Sequence, residues 1–364
     1  MSKAAELAKW GEVSTNGQVS GRRNIVINGV HKISQRGTAN VTGLGDGDEG
    51  YPLTDRWRHT VGAGAGRYTA SQEAITDLPG FTTCLKIACT TLDTTIAASE
   101  RFILEQRIEG QDLQQLKKGT SDAEKVTVSF YVKGHDSATY TVGLYDTDGR
   151  QVGATFSVTT SWARQTVTFP GDTTGVLAND NSAQLHLRFF LHGGANYTGG
   201  TFATAWESAT NANQISSSAN SIFESTSATF FITGVQLEVG SVATPFEHRS
   251  FGDELALCQR YFYQFVKGND LPMGIGFYIA ANQLRLGVYF PTTMRAPPSV
   301  VTSNVAHFKA DGPTDTFDGN WVIVQVSTTM INIYSTTNVG GVEDDPCIVR
   351  TIGDDAELAF NSEL

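Results

Sequence analysis

The amino-acid sequence predicts an all-β protein: a jelly-roll β-sandwich followed by a second, smaller β-sandwich domain, with a short N-terminal helical arm. Three observations lead there. Charged residues make up 17% of the chain, below the ~25% of an average soluble protein and too few for a helical bundle. The 37 glycines in 364 residues suit many turns. Apolar side chains recur with period two in one short run after another, the pattern of half-buried strands. The 40% hydrophobic content supplies material for packed cores and argues against global disorder. At ~100–200 residues per domain, the length gives two or three domains.

Residues 1–22 form the arm. Residues 3–10 read as a helix, with Leu7 and Trp10 three apart on one face, too short to stand alone. A polar stretch with the turn signal Asn16-Gly17 follows, so the arm reads as a docking or oligomerising tail on a linker.

Residues 23–250 form the jelly-roll domain. Val126, Val128, Phe130 and Val132 alternate with Thr127, Ser129, Tyr131 and Lys133. Runs at 140–145, 154–158 and 165–169 continue as consecutive short antiparallel strands, the first ending at the turn Asp146-Thr147-Asp148-Gly149. Leu185, Leu187, Phe189 and Leu191 alternate with His186, Arg188, Phe190 and His192, and a further strand covers 230–237. Residues 193–227, rich in Gly, Ser, Thr and Asn with isolated Tyr197, Trp206 and Phe223, are expected as a long surface excursion. Residues 251–263 carry acidic residues first and Arg last, as a short helical linker prefers. Residues 264–364 form the C-terminal β domain, with hairpins about Ala281-Asn282 and Ser327-Thr328-Thr329.

Several function classes fall away. A net charge of −11 repels a phosphate backbone, so nucleic acid is not expected as a partner. No run approaches the ~18 apolar residues of a membrane helix, and membrane insertion is not expected. The charged N-terminus lacks the apolar core of a secretory signal, so the expectation is folding in a cytoplasm. Cys84, Cys89, Cys258 and Cys347 lack zinc-site spacing and read as ordinary thiols. No nucleophile elbow, metalloprotease helix or phosphate-binding loop occurs, and no catalytic residue is assigned. Gly62-Ala63-Gly64-Ala65-Gly66 reads as a turn. Asp46-Gly47-Asp48-Glu49-Gly50 reads as a solvated acidic loop; no cofactor is expected, with Ca²⁺ on Asp46 and Asp48 as the alternative.

The polar faces of the strands are more informative. Tyr131 and Lys133 share one, His186 and Arg188 another, and residues 102–110 place Glu105, Arg107 and Glu109 on one side. Aromatic faces pack on pyranose C–H surfaces, and charged side chains hydrogen-bond hydroxyls. Tyr131, Lys133, Arg107, His186 and Arg188 are therefore the candidate sugar-binding residues. The alternative is that this surface is covered by another subunit or by the long loops.

A family resemblance joins these readings. Asn24-Ile25-Val26-Ile27-Asn28-Gly29, Gln35-Arg36-Gly37-Thr38, Asp55-Arg56-Trp57, Gln106-Arg107-Ile108-Glu109-Gly110, the segment from Val126 to Lys133, Gly171-Asp172-Thr173-Thr174-Gly175 and Ile232-Thr233-Gly234-Val235-Gln236-Leu237-Glu238-Val239-Gly240-Ser241, with Pro245-Phe246-Glu247 and Glu254-Leu255-Ala256-Leu257-Cys258-Gln259-Arg260-Tyr261-Phe262-Tyr263, resemble a domain of tailed-bacteriophage virion proteins, particularly fibre-type proteins of marine phages. Met294-Arg295-Ala296-Pro297-Pro298 is similar to the terminal domain that often follows. The resemblance spans residues 24–263. It implies a carbohydrate-binding-module-like sandwich, usually homotrimeric, exposed on a virion and meeting the host surface. It implies no defined ligand residues.

The expected function is a non-enzymatic structural and adhesion protein of a phage virion: a trimeric tail fibre or receptor-binding protein contacting host glycans. The arm would attach it to tail or other virion proteins through Leu7 and Trp10. The alternatives are a head-decorating fibre or structural tail component without sugar binding, and a polysaccharide depolymerase.

Overall fold

A computed structural model describes residues 22–303, 306–311 and 315–364. The predicted arm, with Leu7 and Trp10, lies outside the described residues except for Arg22. The chain divides between Ser250 and Phe251 into two compact units.

The first unit holds β1 (Val41–Leu44), β2 (Arg58–Gly62), β3 (Arg67–Ala74), β4 (Thr83–Thr91), β5 (Arg101–Glu109), β6 (Val126–Gly134), β7 (Ala138–Asp146), β8 (Arg150–Val158), β9 (Ala163–Phe169), β10 (Ala183–Gly193), β11 (Glu207–Ser208) and β12 (Thr229–Val239). They form two six-stranded sheets, β1-β3-β4-β12-β6-β9 and β11-β8-β7-β10-β5-β2, whose neighbouring strands run antiparallel. The result is a jelly-roll sandwich. The period-two pattern explains its core: Val128, Phe130 and Val132 of β6 and Leu187 and Phe189 of β10 are buried between the sheets. Phe130 meets Phe189 edge-on across the sandwich at 4.9 Å.

The consecutive strands β6 to β9 are split between the sheets. The β7–β8 hairpin lies in the second sheet, while β6 and β9 pair in the first. Alternating runs specify which residues face inward but not which sheet receives the strand. The early strands are hidden from the pattern by polar inward residues. His59 of β2 is buried, and its Nδ1 lies 2.8 Å from the hydroxyl of buried Tyr68 on β3.

Residues 193–227 run over the surface as expected, but they are anchored to the sandwich at several buried points. Ile222 and Phe223 enter the sandwich core, where Phe223 stacks at 6.0 Å on Phe102. Tyr197, in the short helix α1 (Ala195–Thr198), and Ile215 pack against Ile103 and Phe190 on the outer face of the second sheet. The small residues permit this close packing rather than mobility: a Cβ at Gly194 would stand 2.0 Å from the Ala97 carbonyl oxygen. The excursion thus becomes a wall on that sheet.

The second unit begins with α2 (Phe251–Gln259) and continues through β13 (Phe262–Lys267), β14 (Pro272–Ala280), β15 (Gln283–Tyr289), β16 (Ser299–Thr302), β17 (Phe308–Asp311), β18 (Asp315–Phe317), β19 (Val322–Val326), β20 (Met330–Ser335), β21 (Pro346–Thr351) and β22 (Glu357–Asn361). Residues 251–263 therefore contain the helix and the first two residues of β13. The strands form a three-stranded sheet, β13-β22-β16, and a seven-stranded sheet, β18-β17-β21-β14-β15-β20-β19. Phe308, Phe317 and Trp321 cluster in the core with Tyr278, Ile331, Ile333 and Phe360. The β14–β15 and β19–β20 hairpins close about the two predicted turns.

Candidate functional site

The site is built on four adjacent strands of the second sheet, in the order β7-β10-β5-β2. Because side chains alternate, burying Leu104, Leu187 and Val142 inward turns Glu105, Arg188 and Tyr145 outward. Register then lines up charges across the sheet. Arg58 of β2 and Arg188 of β10 both stand opposite Glu105 of β5, and His186 stands opposite Arg107 and Tyr145.

Glu105 is the hub, its side chain only 2% exposed. Arg188 Nε donates to Oε2 at 2.9 Å, and Arg107 Nε donates to Oε1 at 2.9 Å. Arg58 Nη1 donates to Oε1 at 3.3 Å, as does the Thr60 hydroxyl at 3.4 Å. His186 Nδ1 lies 3.3 Å from Oε2 and 3.2 Å from Arg188 Nη2. Burial alone would raise the Glu105 pKa. The His186 hydrogen bond and the Arg188 and Arg107 charges outweigh it and hold the carboxyl well below its usual range. Burial lowers the His186 pKa, against the pull of Glu105, so the ring is neutral at pH 7.

A second tier of side chains closes the site. Glu49 accepts from Arg58 Nη2 at 3.0 Å and lies 3.8 Å from Arg101 Nη2. Arg101 donates to the Tyr197 hydroxyl and sits 5.6 Å from that ring's centroid. The Arg188 guanidinium lies 4.1 Å from the centroid of Tyr145. Together these groups line an open cleft of about 270 Å³, with Ile103, Asn211 and Gln214 also on its walls. Four guanidinium groups face two carboxylates there, a local positive excess on a chain of net charge −11.

The structure separates the predicted site residues. Arg107, His186 and Arg188 converge on Glu105. Tyr131 and Lys133 lie on β6 of the other sheet, hence on the opposite outer face. There Lys133 Nζ donates to Asp77 at 2.6 Å, Trp162 Nε1 donates to the same carboxylate at 2.9 Å, and Lys133 sits 5.1 Å from the Trp162 centroid. Tyr131 is half-buried at 4.9 Å from Phe81. Glu109, at the end of β5, is buried and accepts from Gln111.

The acidic loop has a local role. Asp46 accepts from the Ala63 amide at 2.7 Å and Asp48 from the Gly45 amide at 3.0 Å. Among the described residues, no three His, Cys, Asp or Glu side chains converge as metal ligands. The four cysteines are free and buried.

Sequence reasoning missed Glu49, Arg58, Arg101, Tyr145 and Tyr197 as site residues. The one available signal was the alternation Arg101, Ile103, Glu105, Arg107, which places these four on one face of a strand. Tyr197 reaches the cleft only because the excursion folds back.

No family model matches the chain, and no curated protein does. Among solved structures it is similar to one described as "CBM4 structure and function", at 12% identity over 58% of this chain and 97% of that one, with a TM-score of 0.30. It is also similar to TmCBM61 in complex with β-1,4-galactotriose, at 11% identity over 60% and 99% and a TM-score of 0.29. The enzymatically active domain of Bacteriophage CBA120 tailspike protein 4 matches at 10% identity over 59% of this chain and 21% of that one, with a TM-score of 0.30. Likenesses at this level carry no functional argument.

Proposed function

We propose that this chain is a glycan-binding adhesion protein of a phage virion, a tail fibre or receptor-binding protein, and that the cleft over β5 and β10 takes the glycan. The observation that carries the reading is the cleft itself: a concave site whose guanidinium, amide and hydroxyl groups converge on one space, as hydroxyl-rich ligands require. The placement on a virion tail rests on the sequence resemblance alone.

The proposed role is non-enzymatic, and Glu105 does not fit the part of a glycosidase's general acid. A glycosidase needs a carboxylic acid whose pKa is raised so that it can protonate the leaving group. Glu105 is shifted the opposite way and serves as a structural anion.

We also propose a homotrimer, with the outer face of the seven-stranded sheet meeting its copies. Ile275 and Ile348 stand opposite each other on β14 and β21 and are 65% and 56% exposed, and Phe277 and Tyr289 are exposed nearby. Arg350 is paired internally with Asp270 and Asp311, so the rim is neutralised and does not repel an identical face.

Saturable binding of the purified chain to a glycan panel displayed at high density tests the central reading. Absence of binding to every glycan at avidity-enhancing density would remove it.

A further inference from the structure

We infer that the cleft selects an acidic glycan, its anionic group taken by Arg107, Arg188 and Arg101. The inference rests on the glycan-binding reading and names the class of sugar within it.

Three observations point this way. First, the cleft offers no free aromatic platform. Tyr145 carries the Arg188 guanidinium at 4.1 Å from its ring centroid, and Tyr197 carries Arg101 at 5.6 Å. A neutral pyranose that depends on stacking finds those faces taken. Second, the arginines keep donors in reserve. Arg107 reaches Glu105 through Nε and Nη2, and Arg188 uses Nε on Glu105 and Nη2 near His186. The Nη1 groups of both have no partner among the described residues. Arg101 stays 36% exposed at the side chain while Nη1 donates to the Tyr197 hydroxyl and Nη2 lies 3.8 Å from Glu49. Third, Glu105 does not consume the positive charge. It fixes the planes of Arg58, Arg107 and Arg188 while four guanidinium groups outnumber the two carboxylates of the cleft. Preorganised guanidinium forks match the paired oxygens of a carboxylate or sulfate.

The lining explains how an acidic protein would hold an acidic ligand. Overall repulsion is screened beyond ~8 Å at physiological salt, whereas contacts inside the cleft are made at hydrogen-bond distance.

The test uses the full chain and four immobilised polymers: polygalacturonate, dextran sulfate, uncharged dextran and duplex DNA. The expected result is retention on polygalacturonate or dextran sulfate, not on dextran or DNA, with the carboxylated and sulfated arms identifying the anion. Arg107→Gln and Arg101→Gln, each checked for an unchanged melting transition, should weaken retention about tenfold, the loss of one charge-assisted hydrogen bond. If either variant fails to fold, the salt dependence of the unmodified chain decides: affinity should fall steadily as salt rises, and an affinity unchanged by salt overturns the inference. Equal retention on dextran, weakened by the same substitutions, overturns the acidic preference and leaves the glycan reading standing. Equal retention on DNA reduces the site to a general polyanion surface and overturns the inference. Retention on none of the polymers, together with an empty neutral and acidic glycan panel, overturns both readings.

Discussion

Arg188 stands opposite Glu105 in the β10–β5 register and donates to it at 2.9 Å, while its other face rests on Tyr145. One residue thus joins the buried carboxylate to the cleft wall. Arg58 flanks Glu105 from the other neighbouring strand, so three strands share one ionic row.

Removing the carboxylate leaves these cations without their counter-ion. Glu105→Gln keeps the shape and is expected to destabilise the first unit by about 3 kcal/mol, as breaking a buried ion pair from one side does. Denaturant unfolding of the two proteins measures it. A change under about 0.5 kcal/mol would show that the row is not structural.

Acid should loosen the same unit. Burial holds both His31 and His59 neutral, with the pKa pushed down from 6.5 to about 3 in each. A depressed histidine pKa means that the unfolded chain binds the proton first. Stability is therefore full above about pH 6.5 and declines as pH falls from there toward about 3. Glu105, also depressed, adds to the loss once pH drops below the ordinary carboxylate range. Unfolding midpoints at pH 8, 6 and 4 should fall in that order, and a flat profile would show that the two rings are not buried neutral.

Phe223 distinguishes a folded wall from a surface loop. It is 1% exposed and packs against Phe102, so Phe223→Ala should cost about 3–5 kcal/mol. An effect within about 0.5 kcal/mol, typical of a surface site, would show that Phe223 does not anchor the segment in the core.

The proposed trimer is read by light scattering on a sizing column. The full chain should run at three times its 39.2 kDa mass, and Ile275→Ser with Phe277→Ser should shift it toward the monomer. An unchanged mass for the double variant would place the subunit contact elsewhere.

The fold was legible wherever inward positions were apolar. β6, β7 and β10 show clean alternation because Val, Leu and Phe fill their inner faces. β2 does not, since His59 occupies an inward place, and with β2 went Arg58. The site was half legible for a related reason. Alternation showed that Tyr131 and Arg188 each lie opposite a core-facing residue, but strand-to-sheet assignment depends on long-range pairing, so residues on two opposite surfaces read as one. The wall from α1 was illegible because Gly193 and Gly194 carry the usual signature of a loop, although here they allow close packing.

That ambiguity defines the most direct measurement: glycan binding by the unmodified chain, Arg107→Ala and Tyr131→Ala, compared at equal oligomeric state. We expect Arg107→Ala to weaken binding at least about tenfold and Tyr131→Ala to change it less than about twofold, since Tyr131 packs against Phe81 on the opposite sheet. Loss of binding in Tyr131→Ala, with Arg107→Ala unaffected, would contradict the account and move the site to the other face.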